Sequence, residues 1–287
     1  MTCLSPPERA RRPRTAPPRG AVDSHAHVFG PFAQFPLTED RPYTPPELPG
    51  QRYLQMLDEV GIERGVLVQP VAHGTDCRAL LHALERAPTR LRGIALLTSD
   101  VTDQQLQSMH ERGVRGARFS RPPPGLTANA IDFDVLRVLA PRLKRLGWHA
   151  QIWAPCDELV TLLPNLCSLG LPLIVDHMGA VDVTRGVGNN SFQTLLRLLD
   201  TGHLWIKTVA YRISHRFPDY EDVEPYYRAM LEANPERLLW GSDWPHVHME
   251  QHMPDVGYLL DLLERWTPDE IARRRILVDN PVALYGF

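Results

Sequence analysis

Short β-type runs alternate with helical stretches along almost the whole chain, and this alternation constrains the fold more than any other feature. From Gly20 onward, eight apolar or β-branched segments of five residues each are typical of buried strands. They are AVDSH (21–25), GVLVQ (65–69), GIALL (93–97), GARFS (116–120), HAQIW (149–153), LIVDH (173–177), LWIKT (204–208) and LLWGS (238–242). This alternation predicts βα units and a parallel sheet.

The segments between these runs carry the period of amphipathic helices. Clear examples are residues 53–61, 77–87 and 133–147, and glycines such as Gly61 and Gly147 follow their apolar stripes. Eight strand–helix repeats fit a closed barrel better than an open doubly wound sheet, and no GxGxxG follows the first strand. We therefore predict an α/β fold, a (β/α)8 TIM barrel formed by a single domain over residues 21–287.

The first twenty residues have a different composition. Residues 1–20 contain five prolines and five arginines and have no apolar stretch. Such a segment buries little apolar surface, so it predicts a disordered N-terminal tail. It also lacks the apolar region of a secretory signal, and we expect no targeting role.

Charge and hydropathy narrow the classes of partner. The net charge of −3 offers no basic face for nucleic acid, and no apolar run reaches the roughly 18 residues of a membrane helix. The four cysteines have no paired spacing, which is typical of reduced thiols in the cytosol. We expect a cytoplasmic protein with a small-molecule substrate and no nucleic-acid or membrane partner; the sequence leaves a homo-oligomer open.

Histidines and an aspartate follow three of the predicted strands. Strand 1 ends in His25-Ala26-His27, and residues two apart on a strand point to the same face. Strand 6 ends in His177, and Asp243 follows strand 8. Because the carboxyl ends of all eight strands face one mouth of a barrel, these four residues are predicted to form a catalytic site.

Cations and aromatic residues also follow strand ends. Arg118 ends strand 4, Arg121 lies in the next loop, and Arg212 follows strand 7 together with Lys207 and Tyr211. Guanidinium groups at one mouth indicate an anionic substrate, since their geometry matches a carboxylate. Further candidates for substrate contact are the aromatic walls Tyr43 and Trp153 and the histidines His73 and His246.

The same residues indicate the type of reaction. No serine lies in a GxSxG elbow and no cysteine has a nucleophile motif, so covalent acyl catalysis has no support. General-base hydrolysis fits better. Asp243 would take a proton from water while imidazoles polarise the carbonyl under attack.

Six motifs carry a resemblance to a known family. They are VDSHAHVFGP (22–31), RGVLVQPVAHGTD (64–76), RGARF (115–119), IVDHMG (174–179), WGSDWPH (240–246) and NPVALYGF (280–287). This set resembles the amidohydrolase superfamily (amidohydrolase-2 type), and within it the 2-pyrone-4,6-dicarboxylate lactonases and related lactone hydrolases. The resemblance covers nearly everything after residue 20. It implies a lactonase in the catabolism of aromatic or sugar acids.

The resemblance also implies roles for individual residues. The counterparts of His25, His27 and His177 bind the carbonyl side of the lactone, and the counterpart of Asp243 activates water. Those of Tyr43, Arg118 and Arg212 contact substrate carboxylates. The chain departs from that pattern at several contacts: Val71 replaces a serine, Trp153 a tyrosine and His248 an asparagine, and PPPGL (122–126) lacks a second arginine unless Arg121 replaces it. A related mono- or dicarboxylated lactone is therefore as good a candidate substrate.

Metal content separates the remaining alternatives. Many superfamily members bind zinc or manganese through residues equivalent to His25, His27, His177 and Asp243. Strands 4 and 5 end here in Arg118 and Trp153, so no bridging lysine or glutamate is present there. Because the arginine-rich pocket resembles that of the metal-independent lactonases, we expect no required cofactor, with one zinc ion as the alternative. A metal-dependent decarboxylase, an amide hydrolase and a non-enzymatic ligand-binding barrel are the competing functions.

Overall fold

The computed structural model describes residues 2–122, 128–249 and 251–287. Eight parallel strands form one sheet in which each strand pairs with the next along the chain. The strands are β1 (Val22–Ala26), β2 (Arg64–Val68), β3 (Leu91–Leu96), β4 (Val114–Ser120), β5 (His149–Trp153), β6 (Leu173–Val175), β7 (Leu204–Lys207) and β8 (Leu238–Leu239).

The first and last strands meet and close the barrel. The Ser24 amide donates to the Trp240 carbonyl at 3.0 Å, and the Asp243 amide donates to the His25 carbonyl at 2.8 Å. These bonds satisfy backbone groups that an open sheet would leave at its edges. The predicted (β/α)8 barrel is confirmed.

Helices follow the strands and pack their apolar faces against the outside of the barrel. They are α1 (Gly50–Val60), α2 (Arg78–Arg86), α3 (Asp103–Glu111), α4 (Phe133–Arg145), α5 (Cys156–Cys167), α6 (Asn190–Asp200), α7 (Glu224–Ala233), α8 (Val256–Trp266), α9 (Glu270–Arg274) and α10 (Asn280–Tyr285). Side chains cap five of their N-termini; at two of these, Thr102 pairs reciprocally with Gln105, and Asp132 accepts from the Asp134 amide. No helix of the described residues is both long enough and apolar enough to cross a bilayer.

The interior of the barrel is apolar at one end only. Aliphatic side chains of β1, β2, β3, β6 and β8 fill the amino-terminal end, and Tyr285 of α10 packs against them; they are Val22, Val66, Val68, Ile94, Ile174 and Leu239. Polar side chains occupy the layer above, toward the carboxyl ends of the strands. The polar groups that could take part in a reaction therefore lie at one mouth of the barrel.

The N-terminal segment differs from the disordered tail expected from its composition. The amides of Arg11 and Arg14 donate to Asp255 and Asp261 at 3.0 and 2.7 Å. The backbone of Arg11 passes so close to Gly257 that a Cβ there would lie 2.0 Å from the Arg11 carbonyl oxygen. Two carboxylates, Asp255 and Asp261, and the glycine Gly257 of α8 therefore hold the N-terminal segment in place, although that segment has little apolar surface of its own.

Candidate active site

The four predicted catalytic residues lie together at the carboxyl-terminal mouth of the barrel. His25 Nε2 lies 3.3 Å from His27 Nε2 and 3.6 Å from Asp243 Oδ1, and His27 Nε2 lies 3.3 Å from the same oxygen. His177 Nδ1 is 4.0 Å from Asp243 Oδ2. His25 and Asp243 are fully buried, while His27 and His177 keep a small exposed fraction.

A buried carboxylate ties the end of β1 to the segment after β8. Asp23 Oδ1 accepts from the amides of Ser242 and His25 at 2.8 and 3.2 Å, and its Oδ2 accepts from the Ser242 hydroxyl at 2.6 Å. Gly241 lets the two segments approach, because a Cβ there would lie 2.7 Å from the Cβ of His25. These contacts set His25 beside Asp243.

Several site residues have left-handed backbone conformations. The φ angles are +48° at His177, +55° at Asp243, +63° at His246 and +65° at His248. Residues other than glycine rarely adopt such angles, and the cost is of order 1–3 kcal/mol each. Strain of this kind concentrates at functional sites, and here it occurs at two of the four candidate catalytic residues, His177 and Asp243.

One oxygen of Asp243 is held by hydrogen bonds and the other is not. Oδ2 accepts from Arg212 Nε and, at 2.9 Å, from the Tyr211 hydroxyl. Oδ1 has no hydrogen-bond partner among the described residues. Burial raises the pKa of Asp243, but Arg212 and His177 outweigh it and hold that pKa well below its usual value. Asp243 is therefore an ionised carboxylate with one oxygen available.

Burial favours the neutral form of two histidines of the site. Burial, helped by Lys207, lowers the pKa of His25 well below its usual value, and burial lowers the pKa of His177 to about 4. The His27 Nδ1–H donates to the Val68 carbonyl at 2.7 Å, because a carbonyl oxygen only accepts. His27 Nε2 is therefore the ring nitrogen that lies beside His25 and Asp243.

A cavity of about 250 Å³ opens above these groups. Its wall includes His27, His177 and Asp243, and also Val71. Five of the predicted substrate contacts line it as well, which are Tyr43, Arg118, Trp153, Arg212 and His248. The rings of Tyr43 and His248 lie edge to face with their centroids 4.3 Å apart. The replacements of serine, tyrosine and asparagine by Val71, Trp153 and His248 therefore all fall on the wall of this cavity.

The two arginines of the cavity wall have different surroundings. Arg212 donates to Asp243 and, through Nη1, to the Val247 carbonyl at 2.6 Å. Arg118 is 13% exposed, and its Nε has no hydrogen-bond partner in the described part of the chain. Its nearest carboxylate oxygen, Asp176 Oδ2, is 3.7 Å away. Arg118 is thus the better placed of the two to bind an anion in the cavity.

Three of the predicted contact residues, Arg121, His73 and His246, are not among the described residues that line the cavity. Arg121 pairs with Asp132 and Glu158 at 2.8 and 2.7 Å, so its guanidinium is engaged away from the cavity. His73 is buried, and its Nδ1 donates to the Pro36 carbonyl at 3.1 Å. Most of the PPPGL segment, residues 123–126, lies outside the described residues.

His246, also predicted to contact substrate, lies behind Tyr211 instead. Its Nδ1 is 3.2 Å from the Tyr211 hydroxyl, whose own proton goes to Asp243 Oδ2. The Nδ1–H of His246 therefore donates to the Tyr211 oxygen. Through Tyr211 this residue helps to orient Asp243.

A fully buried polar cluster lies beneath His25, and the sequence pattern indicated only its Lys207, as one of the cations near the end of strand 7. Lys207 Nζ donates to Gln151 Oε1 at 2.5 Å, and Gln151 Nε2 donates to Asp176 Oδ2 at 2.8 Å. Burial lowers the pKa of Lys207 to about 8; burial also raises that of Asp176, but His25 and Lys207 draw it far below its usual range. The available signal was a glutamine and a lysine inside otherwise apolar strands.

The histidine and aspartate atoms are spaced as metal ligands would be. Two donors bound to one tetrahedral ion at about 2.0–2.2 Å lie roughly 3.3–3.6 Å apart. The three separations among His25 Nε2, His27 Nε2 and Asp243 Oδ1 are 3.3, 3.3 and 3.6 Å. Oδ1 also lacks a hydrogen-bond partner in the described chain, so the donor set fits a single divalent ion.

Comparison with known proteins gives a consistent picture. The sequence model described as Amidohydrolase matches residues 22–287. A 4-sulfomuconolactone hydrolase from Rhizobium radiobacter is 42% identical over 98% of this chain and 96% of its own length. A 2-pyrone-4,6-dicarboxylate hydrolase from Comamonas testosteroni is 36% identical over 96% of this chain and 92% of its own length.

A solved structure extends the likeness to three dimensions. It is that of a 2-pyrone-4,6-dicarboxylic acid hydrolase homologue from Acinetobacter baumannii with citric acid bound. The two proteins are 30% identical and superpose with a TM-score of 0.81 over 93% of this chain and 100% of the other.

Proposed function

The chain belongs to the amidohydrolase family, and from this premise we propose that it is a cytoplasmic hydrolase that opens a lactone carrying an anionic group. Two relatives are named for cyclic esters of this kind, 4-sulfomuconolactone and 2-pyrone-4,6-dicarboxylate. The observation that carries the proposal is the buried, ionised Asp243, which lines the cavity and whose Oδ1 has no hydrogen-bond partner among the described residues. An oxygen in this state can accept a proton from water.

In the proposed reaction, Asp243 Oδ1 removes a proton from a water molecule, and the water oxygen forms a bond to the lactone carbonyl carbon. Collapse of the tetrahedral intermediate breaks the ring C–O bond. The proton held by Asp243 passes to the departing ring oxygen, so the product is an open-chain acid. Arg212 and Tyr211 support this step because they orient the carboxylate through Oδ2 and leave Oδ1 available.

Donors in the cavity would stabilise the negative charge that develops on the carbonyl oxygen. His177 is a neutral imidazole on the cavity wall, and such a ring carries one N–H that can donate to an oxyanion. Arg118 would bind the carboxylate or sulfonate of the substrate, which fixes the ring over Asp243. Tyr43, Trp153 and Val71 supply the apolar surface against which a flat ring can pack.

We propose that hydrolysis does not require a metal ion, although the donor set fits one. His25, His27 and Asp243 would hold the ion, with His177 nearby. A bound zinc ion would supply Lewis-acid polarisation of the substrate. Arg118 and Arg212 already place positive charge at the cavity, which supports catalysis by the protein groups alone. The competing function favoured by the donor set is metal-dependent decarboxylation of an aromatic acid.

A substrate panel tests the proposal. Purified protein is assayed for acid release with carboxylated and sulfonated lactones, each beside its neutral ester analogue. We expect hydrolysis of at least one anionic lactone, with kcat/KM about 10- to 150-fold above its neutral analogue, which corresponds to one charged hydrogen bond of about 1.5–3 kcal/mol. Failure to open any lactone, with carbon dioxide released from an aromatic acid, would establish the decarboxylase instead.

Chelation of the same preparation tests whether hydrolysis requires a metal ion. Extended dialysis against a chelator should leave lactone hydrolysis unchanged. Loss of hydrolysis that is restored by added zinc would contradict the metal-independent form of the proposal.

A further inference from the structure

The N-terminal segment does more than pack against α8, because its first residues contact the loops that border the cavity. The Cys3 amide donates to the Thr44 carbonyl at 2.9 Å, next to the cavity residue Tyr43. The Cys3 sulfur accepts from the amide of His248, another cavity residue, at 3.4 Å. The Cys3 side chain is buried in the same apolar cluster as Tyr43. Residues 2–4 therefore connect the loop after β1 to the loop after β8.

From these loops the segment follows the chain after β8 as far as α8. Pro6 and Pro7 lie beside His246 in a small cleft, and the Arg11 amide donates to Asp255 at 3.0 Å. Proline fixes the backbone angle φ, so this stretch is stiffer than an average loop. A displacement at one end of the segment should therefore move the other end.

The chain after β8 has a backbone conformation that requires support. The φ angles of His246 and His248 are +63° and +65°, in the left-handed region that residues other than glycine rarely adopt. Such conformations persist only where the surrounding structure holds them. The N-terminal segment contacts both sides of His248: Cys3 accepts from its amide, and the Leu4 amide donates to the Met249 carbonyl at 3.5 Å.

We propose that residues 2–11 form a positioning strap, which holds Tyr43 and His248 on the cavity wall and so raises the affinity for substrate without taking part in the reaction. The rings of these two residues lie edge to face with their centroids 4.3 Å apart, so a small shift of either loop would separate them. The inference rests on the proposed function for its kinetic readout alone. Two further readouts need no substrate, so the strap can fail while lactone hydrolysis stands, and the reverse also holds.

Gly257→Ala displaces the strap from a position outside the cavity. A Cβ at Gly257 would lie 2.0 Å from the Arg11 carbonyl oxygen and 2.9 Å from its carbonyl carbon, so the backbone of the strap must move away. Gly257 is the second residue of α8, and alanine is a better helix former than glycine. We therefore expect α8 and the barrel to fold while the strap detaches.

Three measurements report on the strap, the cavity wall and the function. Alkylation of the buried Cys3 thiol, followed by mass spectrometry, should be about tenfold faster in Gly257→Ala, since a buried thiol reacts only after local opening. The ring-proton resonances of His248, assigned by their loss in His248→Asn, should move toward those of an exposed histidine, because the paired Tyr43 ring no longer shifts them. For a lactone that the protein opens, KM should rise about 2- to 10-fold, the equivalent of one hydrogen bond, with kcat within twofold.

Gly93→Ala is the matched control. A Cβ there would lie 2.7 Å from Leu84 Cδ1, a steric conflict that does not involve the strap, so Cys3 reactivity, the His248 resonances and KM should all stay unchanged. Unchanged Cys3 reactivity in Gly257→Ala would show that α8 does not hold the strap in place. Faster reaction of Cys3 with unchanged His248 resonances would refute its role in the cavity wall, whether or not any lactone is opened. Equal increases of KM in both variants would also refute the proposal, since they would reflect a general loss of stability.

Discussion

Replacement of Arg118 by methionine separates anion binding from structural support. The guanidinium is on the cavity wall, its Nε has no hydrogen-bond partner among the described residues, and its nearest carboxylate oxygen is 3.7 Å away. Methionine keeps an apolar stem of similar length but no charge. Asp176 retains its hydrogen bond from Gln151 and the nearby charge of Lys207, so we expect the variant to fold.

The magnitude follows from what the substrate would lose. A charged hydrogen bond to a carboxylate contributes about 1.5–3 kcal/mol, which corresponds to a 10- to 150-fold loss of kcat/KM for the anionic lactone. We expect the loss mainly in KM, measured by steady-state acid release. The neutral ester analogue of the same lactone should lose less than about threefold, since it has no charge for Arg118 to bind.

Arg121→Met is the matched comparison. Arg121 is three residues away and pairs with Asp132 and Glu158 instead of facing the cavity. We expect its kcat/KM to stay within about threefold of the unaltered protein, because exposed ion pairs contribute little. Equal losses on the anionic and neutral substrates in Arg118→Met would show that Arg118 supports the structure and would refute its assignment as the anion site.

Three further predictions follow from the same geometry. Tyr211→Phe removes the 2.9 Å hydrogen bond to Asp243 Oδ2, and we expect kcat to fall about 3- to 10-fold with KM within twofold, measured by steady-state kinetics. The pKa of Asp243 lies well below its usual value and that of His177 is about 4, so neither group changes form as pH falls toward 6, the value to which burial raises the pKa of Asp23; kcat/KM should be constant between about pH 7.5 and 6.5, and an acid limb centred above 7 would contradict this. Deletion of residues 2–12 should raise KM about 2- to 10-fold, since the Cys3 amide donates to the Thr44 carbonyl, next to the cavity residue Tyr43, and the Cys3 sulfur accepts from the amide of the cavity residue His248; an unchanged KM would mean that the segment has no part in the site.

The fold and the convergence of the four candidate catalytic residues could be predicted from local patterns. Apolar runs separated by helical periods identify strands in any sequence, and chemistry at their carboxyl ends converges because the strands are parallel. His25, His27, His177 and Asp243 were found in this way. The predicted eighth strand was too long, since only Leu238–Leu239 pairs regularly with β7. After β8, the Trp240 carbonyl accepts a hydrogen bond from the Ser24 amide of β1, and the Ser242 amide donates to the Asp23 side chain. No local sequence pattern indicates these contacts.

Contacts between distant parts of the chain were the hardest to predict. The proline-rich N-terminal segment indicated disorder, yet its binding depends on carboxylates and a glycine of α8 about 250 residues later. The position of Arg121 in the loop after strand 4 predicted a contact with substrate. Its ion pairs with Asp132 and Glu158 depend on how that loop folds back, which the local sequence does not indicate. The buried cluster of Lys207, Gln151 and Asp176 arises from three different strands or strand ends.

The most direct test of the account is the turnover of Asp243→Asn on a lactone that the unaltered protein opens. Asparagine keeps the size of the side chain, but its amide cannot take a proton from water at neutral pH. A positioned general base contributes about 10²- to 10⁴-fold, so we predict that kcat falls by that factor while the protein remains folded, as judged by its circular dichroism and thermal unfolding. Turnover within a few fold of the unaltered protein would contradict the assignment of Asp243 as the base.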